Sequence, residues 1–245
     1  MHKLTSTVKD LTMDELHLLS LNCHGFSVDT ASYLRGILTD SNYDFDIILL
    51  QETWLSTANC SRLGDISDEF VYFHNSAIED RLTAGILAGR PFGGTAILVR
   101  KNLSARVAVV ETGSPRITAI CLSNYDQPDL LICSVYMPYN DRSVQQLGEY
   151  DATVGCLQAI VDSHHGCLFV IGGDLNVSKL GYYPAEHAIH QFCTTNNLFW
   201  LDPSIDIIDF TYHNDANGHF SLIEHFMCSK PLVDNIQKNC NFGPW

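Results

Sequence analysis

The sequence is poor in positive charge. Among its 245 residues, 14 are Lys or Arg and 28 are Asp or Glu, so the net charge is −14. Because affinity for DNA or RNA comes largely from Lys and Arg contacts with phosphates, so acidic a chain is a poor free-standing nucleic-acid binder. Two classes of partner stay open: a small phosphate ester, or a polymer whose binding is supplied by other parts of a longer protein.

Long apolar runs and paired cysteines are also lacking. The longest apolar runs, residues 45–50 and 167–171, are far shorter than the roughly 18 residues of a membrane span. The first five residues do not resemble a secretory signal, so we expect an intracellular protein with no membrane partner. The nine cysteines include no C-x-x-C pair and are odd in number, which predicts reduced core thiols rather than a disulfide framework or a zinc site.

What the sequence does have is a series of short strand-like runs, several arranged as hairpins, with a few helices between them. Pure βαβ alternation is absent, which favours two sheets packed face to face and covered by helices. Residues 1–15 are polar and aperiodic and predict a flexible lead-in, followed by one domain over 16–245. The predicted strands are 16–21, 45–50, 70–73, 94–99, 107–110, 117–122, 130–136, 167–171 and 221–228, and the predicted helices are 29–40, 143–162 and 185–195.

Four segments carry polar residues at the ends of these strands, at 21–25, 50–53, 135–138 and 171–176. Taken singly, an Asn in such a place is more often a turn former and a Glu more often a solvated carboxylate. Asp174 and Asn176 are more informative, because in an extended chain residues two apart share a face. The glycines before them allow close backbone approach. A glycine turn with Asp174 capping a helix is the alternative.

The ordered set Asn22, Glu52, Tyr136, Asp174 and Asn176 resembles the endonuclease/exonuclease/phosphatase superfamily. It is most similar to the apurinic-endonuclease-like domain of LINE-type non-LTR retrotransposons, over roughly residues 16–233. The motifs are Leu-Asn-Cys-His-Gly at 21–25, Leu-Leu-Gln-Glu-Thr-Trp at 49–54, Gly-Gly-Thr-Ala-Ile-Leu-Val at 93–99, Ser-Val-Tyr-Met-Pro-Tyr at 134–139, Gly-Gly-Asp-Leu-Asn at 172–176, Phe-Thr-Tyr-His at 210–213 and Ser-Leu-Ile-Glu-His-Phe at 221–226. The resemblance implies a four-layer α/β/β/α sandwich with its site at one end of the two central sheets.

The resemblance also implies a metal and a substrate groove. Glu52 would hold Mg²⁺, with Mn²⁺ as an alternative, since these hard cations take oxygen ligands. Asn22 would help to position that cation or the scissile phosphate. Thr211 and Ser221 match positions that line the substrate groove.

Three further residues would act on the phosphate itself. By the same resemblance, Asp174 would orient or deprotonate the attacking water. Asn176 would donate hydrogen bonds to the phosphoryl oxygens, and Tyr136 would hydrogen-bond the same group. Metal and donors together offset the charge that develops in phosphoryl transfer.

The sequence departs from the family pattern at its C-terminal side. Glu224 stands where the family has an Asp that orients the catalytic histidine, and we include Glu224 among the catalytic candidates. No Ser-Asp-His occurs in the sequence, although the family closes with that motif. We therefore expect a C-terminally truncated domain. His225 does not replace the lost histidine, because its side chain points to the opposite face from Glu224.

Three functions follow as hypotheses. The first is a Mg²⁺-dependent phosphodiester hydrolase, a DNA endonuclease domain of retrotransposon type within a longer polyprotein, inactive if the truncation removes an essential group. The second is a phosphatase acting on a small or lipid phosphate ester, and the third is a non-catalytic remnant. The residues of the motifs favour the endonuclease, and the net charge favours the phosphatase. The departures from the family pattern on the C-terminal side favour the non-catalytic remnant. A DNA substrate would imply a nuclear location.

Overall fold

The computed structural model describes residues 3–8, 16–79, 93–103, 105–124, 127–139, 143–177, 183–201, 212–214, 219–221, 223–233 and 236–238. The strands are β1 (Lys3–Val8), β2 (Leu16–Asn22), β3 (Ile47–Gln51), β4 (Phe70–Asn75), β5 (Thr95–Arg100), β6 (Arg106–Val110), β7 (Ile117–Ser123), β8 (Leu130–Tyr136), β9 (Leu168–Asp174), β10 (Leu198–Leu201), β11 (Tyr212–Asn214), β12 (His219–Ser221), β13 (Glu224–Ser229) and β14 (Ile236–Lys238). The helices are α1 (Val28–Thr39), a 3₁₀ helix (Cys60–Asp65), α2 (Val144–Ser163), α3 (Pro184–Thr195) and α4 (Lys230–Val233).

Two six-stranded sheets form the centre of the molecule. The first has the order β14-β1-β2-β3-β5-β4 and the second the order β10-β13-β9-β8-β7-β6, while β11 and β12 form a separate hairpin. One pair in each large sheet is parallel, β2 with β3 and β8 with β9. Two mixed sheets with flanking helices confirm the predicted layered α/β sandwich.

Alternation along the strands builds three apolar layers. On β3, Leu49 points between the two sheets, whereas Ile48 and Leu50 point to the other face of the first sheet, where α1 packs. On β9, Val170 points between the sheets and Ile171 points toward α2 and α3. The side-chain period of two therefore gives each sheet two buried faces. None of the helices that the structure describes is both long and apolar enough to cross a membrane.

The helices begin at identifiable caps. Ser27 precedes α1, and its hydroxyl accepts a hydrogen bond of 3.1 Å from the Thr30 N–H, so the cap is Ser27 rather than the predicted Asp29. Ser143 caps α2 through the Gln146 N–H at 3.2 Å. Pro184 occupies the first turn of α3, one residue before the predicted start, where its missing N–H has no cost.

The N-terminal segment differs from its prediction. Lys3–Val8 form β1, which pairs antiparallel with β2 from Lys3↔Leu21 to Val8↔Leu16, where the sequence predicts part of a flexible lead-in. This strand has little apolar alternation, so its sequence carries no period-two signal. The predicted strand over 221–228 is likewise divided into β12 and β13, and β10 was not predicted.

Candidate active site

The candidate site lies where the parallel pair of each sheet ends. Strand register places Tyr136 of β8 beside Asp174 of β9, and Asp174 beside Glu224 of β13. Residues paired in this way point to the same face of a sheet. In the facing sheet, Asn22 ends β2 and Glu52 directly follows β3. The order of these strands thus gathers five of the predicted site residues from separate motifs.

The Asn22 side chain joins the two sheets at this point. Its Nδ2 donates to Glu52 Oε1 at 3.1 Å and to Asp174 Oδ2 at 2.9 Å. Its Oδ1 accepts from the His24 N–H at 2.9 Å, which fixes the orientation of the amide. One nitrogen therefore holds two carboxylate oxygens within about 6 Å of each other.

Asp174 is buried, and its pKa is raised to about 7. Burial is the largest cause, because it disfavours the charged form, and the negative charge of Glu52 raises the pKa further. Hydrogen bonds from the Asn176 N–H and from Asn22 oppose this shift. A carboxylate with a pKa near neutrality is suited to accept a proton from water.

Tyr136 is partly buried beside both carboxylates. Burial raises the pKa of its phenol well above the usual value, and the charges of Glu52 and Asp174 raise it further, while Arg116 opposes them. The phenol consequently stays protonated and serves as a hydrogen-bond donor.

Arg116 is a site residue that the sequence analysis missed. Its guanidinium carbon lies 5.6 Å from the centroid of the Tyr136 ring, and its Nη2 lies 3.4 Å from Glu149 Oε2. Its carbonyl accepts from the Tyr136 N–H at 2.9 Å. The only available signal was a cation directly before the buried strand β7, and no motif drew attention to it.

Glu52 is held in a strained backbone conformation. Its φ is 50°, and its Oε2 accepts from Trp54 Nε1 at 3.2 Å. The Trp54 ring covers Gly25, where an added Cβ would lie 2.4 Å from a ring carbon. The structure describes five non-glycine residues with positive φ, and four of them surround the site, a pattern typical of functional residues: His24, Glu52, Trp54 and Asn176.

Asn176 reaches the site by a turn rather than by strand periodicity. β9 ends at Asp174, and Asn176 has a φ of 50°, so the expectation that the two share a face of an extended chain is wrong. Instead the Asn176 N–H donates to Asp174 Oδ1 at 3.0 Å, and its side-chain Nδ2 donates to the Met137 carbonyl at 2.8 Å. The first bond closes the turn that follows β9, and the second holds this turn against the residue that follows β8.

The two glycines before Asp174 are required by close packing, as the sequence predicts. A Cβ at Gly172 would lie 2.4 Å from a ring carbon of Phe226. A Cβ at Gly173, whose φ is 145°, would lie 2.0 Å from the Val135 carbonyl oxygen. Asp174 therefore sits on a segment that admits no side chain at either position.

The neighbours Glu224 and His225 face opposite sides of β13. Glu224 is buried on the side of Asp174. His225 is buried on the other side, where its Nε2 lies 3.0 Å from the Val177 carbonyl and its ring meets Trp200 edge-on at 4.7 Å. His225 is therefore not a member of the site, in agreement with the prediction from alternation.

The two predicted groove residues, Thr211 and Ser221, stay predictions. Ser221 ends β12, where its backbone pairs with Tyr212 of β11. Thr211 lies outside the described residues.

The donor set fits a divalent cation. Glu52 and Asp174 present carboxylate oxygens on either side of one amide, which is the hard-oxygen chemistry that Mg²⁺ and Mn²⁺ prefer. The charge of Glu52 raises the Asp174 pKa, which indicates negative charge that a cation would stabilise.

Comparison with known proteins gives one family. A model described as the Endonuclease/Exonuclease/phosphatase family matches residues 19–235. No curated protein sequence matches this chain at a significant level.

Several solved structures share the fold. The endonuclease domain of TRAS1, a telomere-specific non-LTR retrotransposon, is 14% identical, with 89% of this chain and 86% of that chain covered and a TM-score of 0.62. The Xenopus laevis APE2 catalytic domain is 16% identical, with 89% and 83% covered and a TM-score of 0.62. The 3′ phosphatase NExo from Neisseria, bound to product DNA hairpin, is 14% identical, with 96% and 89% covered and a TM-score of 0.62.

Proposed function

Because this chain belongs to the endonuclease/exonuclease/phosphatase family, we propose that it is a Mg²⁺-dependent phosphodiester hydrolase whose substrate is DNA. One observation carries the proposal: the Asn22 amide holds Glu52 of one sheet and Asp174 of the other around a single point. Carboxylates so placed at the ends of two sheets suit metal-assisted hydrolysis of a phosphate ester.

Glu52 is the proposed metal ligand. Both of its oxygens are oriented by donors, Asn22 Nδ2 on one and Trp54 Nε1 on the other, so the carboxylate is preorganised. When bound, Mg²⁺, or Mn²⁺ in its place, would offset negative charge on the phosphoryl oxygens. Asn22 acts by positioning, since its Oδ1 already accepts from a backbone N–H and its Nδ2 faces the carboxylates.

Asp174 is the proposed base for the attacking water. Its pKa of about 7 allows it to accept a proton at neutral pH, and the Asn176 N–H and Asn22 hold its two oxygens in place. Asn176 is the proposed donor to the phosphoryl group, and the hydrogen bond from its Nδ2 to the Met137 carbonyl supports this role by orienting the amide. Glu224, which pairs with Asp174 across β13 and β9, is the proposed counterpart of the carboxylate that orients the histidine in the family.

Tyr136 is the proposed donor to a phosphoryl oxygen. Its raised pKa keeps the proton on the phenol, and the Arg116 guanidinium against the ring face fixes the ring. Arg116 also brings positive charge near a site otherwise dominated by carboxylates, which favours an anionic substrate.

DNA as substrate, and a retrotransposon origin, are supported by the named functions of proteins with the same fold. These include a retrotransposon endonuclease domain and a phosphatase bound to a DNA product. The net charge of −14 favours a second candidate, a phosphatase acting on a small or lipid phosphate ester.

The absence of Ser-Asp-His from the sequence sets the expected rate. A missing general acid or base typically lowers a rate by about 10²–10⁴-fold. We therefore propose that this chain turns over slowly, with a non-catalytic protein as the limiting case.

A plasmid assay tests the proposal. The purified chain is incubated with supercoiled plasmid and Mg²⁺, beside Asn176→Ala, the exposed control Asn42→Ala and a panel of phosphomonoesters. Nicking by the wild type and by Asn42→Ala, but not by Asn176→Ala, supports the endonuclease. Phosphate release without nicking supports the second candidate. If neither reaction occurs at any Mg²⁺ or Mn²⁺ concentration, the result supports the non-catalytic remnant.

A further inference from the structure

Two cysteines and an aspartate converge at the end of the second sheet that lies away from the candidate active site. One ligand atom from each of Cys121, Asp129 and Cys167 lies within 4.8 Å of the other two. Cys121 is near the end of β7, Asp129 directly precedes β8, and Cys167 directly precedes β9. Three adjacent strands therefore each contribute one side chain.

Strand pairing fixes the three residues on one face. Cys121 pairs with Leu131, which pairs with Phe169, and these three belong to the apolar layer under α2 and α3. Asp129 and Cys167 lie two residues before Leu131 and Phe169, so they share this face. The Leu168 N–H donates to the Asp129 carbonyl at 2.8 Å, which ties the two entering segments together.

The side chains themselves approach closely. Cys121 Sγ lies 3.8 Å from Asp129 Oδ2. Cys121 is buried, whereas Asp129 and Cys167 are partly exposed, so a solvent ion has access to the group from one side.

A disulfide between the two thiols does not suit this geometry. β8 lies between β7 and β9, and neighbouring strands are about 4.8 Å apart, so the two backbones are separated by about 9 Å or more. A disulfide requires Cα atoms within about 7 Å. A metal ion between the two sulfur atoms can bridge this larger separation of the backbones, because each metal–sulfur bond is about 2.3 Å long.

We propose that Cys121, Asp129 and Cys167 form a Zn²⁺ site in which water completes the coordination. Two thiolates and a carboxylate are ligands that zinc accepts at about 2.0–2.3 Å. On binding, both thiols lose their protons to solvent, so the bound group of one Zn²⁺, two thiolates and one carboxylate carries a net charge of −1. Zinc here would link β7, β8 and β9 and stabilise the folded state.

This site is separate from the proposed catalytic centre. Tyr136 and Asp174 end the strands that Asp129 and Cys167 precede, and seven residues of strand span about 20 Å. Ligand chemistry also separates the two, since Mg²⁺ prefers oxygen donors and thiolates select softer ions. The proposal stands whether or not the chain hydrolyses phosphodiesters.

Cobalt titration of the metal-stripped chain tests the site. Co²⁺ replaces zinc in tetrahedral thiolate sites, and its thiolate-to-metal charge-transfer band reports sulfur ligands, whereas Co²⁺ on oxygen ligands gives no such band. We expect the band to saturate at one Co²⁺ per chain and to disappear on addition of Zn²⁺. Zn²⁺ should also raise the thermal unfolding midpoint.

Matched variants decide whether these residues are the ligands. The double variant Cys121→Ser/Cys167→Ser should abolish the band. Asp129→Asn should lower the affinity for Zn²⁺ by about 10-fold or more, because even residues outside the coordination shell change metal affinity by that factor. Cys156→Ser, which changes a partly buried thiol elsewhere, should behave as wild type. Circular dichroism of each variant establishes that it is folded. A band that is absent in the wild type, or that persists in the folded double variant, would overturn the proposal.

Discussion

The two ends of the second sheet carry different chemistry on the same strands. Where β8 and β9 end, they present Tyr136 and Asp174, and the chain around them has four non-glycine residues at positive φ. Where β8 and β9 begin, they present Asp129 and Cys167. At that end of the sheet the structure describes one non-glycine residue at positive φ, Asn197, which directly precedes β10.

This difference between the two ends shows that the parallel pairing of β8 and β9 places side chains beside one another but does not by itself set their chemistry. Register alone sets neighbouring side chains beside one another at both ends, and at the end with Tyr136 and Asp174 a side chain also hydrogen-bonds between the two sheets. There Asn22 fastens Glu52 to Asp174 across the interface, and burial raises the Asp174 pKa. The raised pKa of Asp174 depends on burial by the facing sheet, whereas a zinc site depends only on three ligand atoms that lie close together.

The largest effect expected is at Asp174. Asp174→Asn keeps the size of the side chain but removes the base, so the nicking rate should fall by about 10²–10⁴-fold, or about 3–5 kcal/mol of barrier. Zinc affinity at the opposite end should not change. Asp129→Asn should give the reverse pattern, with hydrolysis intact and zinc weakened. Initial rates and cobalt titrations of both variants measure this, and loss of both properties in either variant would break the separation of the two ends.

The two glycines before Asp174 should be nearly as sensitive to substitution. Gly173→Ala would place a Cβ 2.0 Å from the Val135 carbonyl oxygen in a left-handed conformation, and we expect a loss of about 3 kcal/mol or more in the free energy of unfolding. Gly148→Ala in α2 is the control, since a Cβ there meets no atom within 4 Å.

The control should gain about 0.5–1 kcal/mol, because alanine favours a helix over glycine. Urea denaturation measures both variants. Equal stabilities for Gly173→Ala and the wild type would contradict the packing described at the end of β9.

A third prediction concerns pH and His74, whose Nε2 lies 3.3 Å from Thr53 Oγ1, next to Glu52. Burial lowers the pKa of His74 from 6.5 to about 4, although the charge of Glu79 opposes the shift. Between pH 6.5 and 4 the unfolded chain therefore binds more protons than the folded one. The contribution of His74 to the free energy of unfolding is therefore complete above pH 6.5. It decreases as the pH falls through this window, by about 2 kcal/mol at pH 5.

Replacement of the His74 ring should remove this pH dependence of the free energy of unfolding. Urea denaturation at pH 7 and pH 5 should show the difference in the wild type, and His74→Gln should reduce it by about the same 2 kcal/mol. An unchanged pH dependence in His74→Gln would mean that other groups cause the loss.

The smallest predicted effect is at Arg116. Arg116→Ala removes the cation from the Tyr136 ring, a contact worth about 0.5–2 kcal/mol, so we expect kcat to fall by about 10-fold with a smaller change in KM. Arg116→Lys should recover part of the rate. A change confined to KM would indicate that Arg116 binds substrate without positioning Tyr136.

The sequence predicted the parts of the site that depend on strand ends. Asn22, Tyr136 and Asp174 end buried strands and Glu52 directly follows one, and the resemblance of their ordered motifs to a known family predicted that they share one site. Turns were less predictable: Asn176 reaches Asp174 through a left-handed residue, which apolar periodicity does not encode.

Contacts between distant segments were beyond the sequence. Arg116 touches Tyr136 only because β7 begins beside the end of β8, and no motif marks it. Cys121 and Cys167 are brought together by the pairing of three strands, whereas the cysteine pattern of the sequence predicted reduced core thiols and no zinc site. The polar strand β1 lacked the alternation that would have identified it.

The central claim is that Glu52 and Asp174, joined by Asn22, form a Mg²⁺-dependent hydrolytic site. The most direct test is the Mg²⁺ dependence of plasmid nicking by the wild type and by Glu52→Gln, with chelator-treated protein as the zero point. We predict slow nicking that needs Mg²⁺, and at least a 10-fold higher Mg²⁺ concentration for half-maximal rate in Glu52→Gln. Identical Mg²⁺ curves for the two proteins, or nicking that persists in chelator, would contradict the claim.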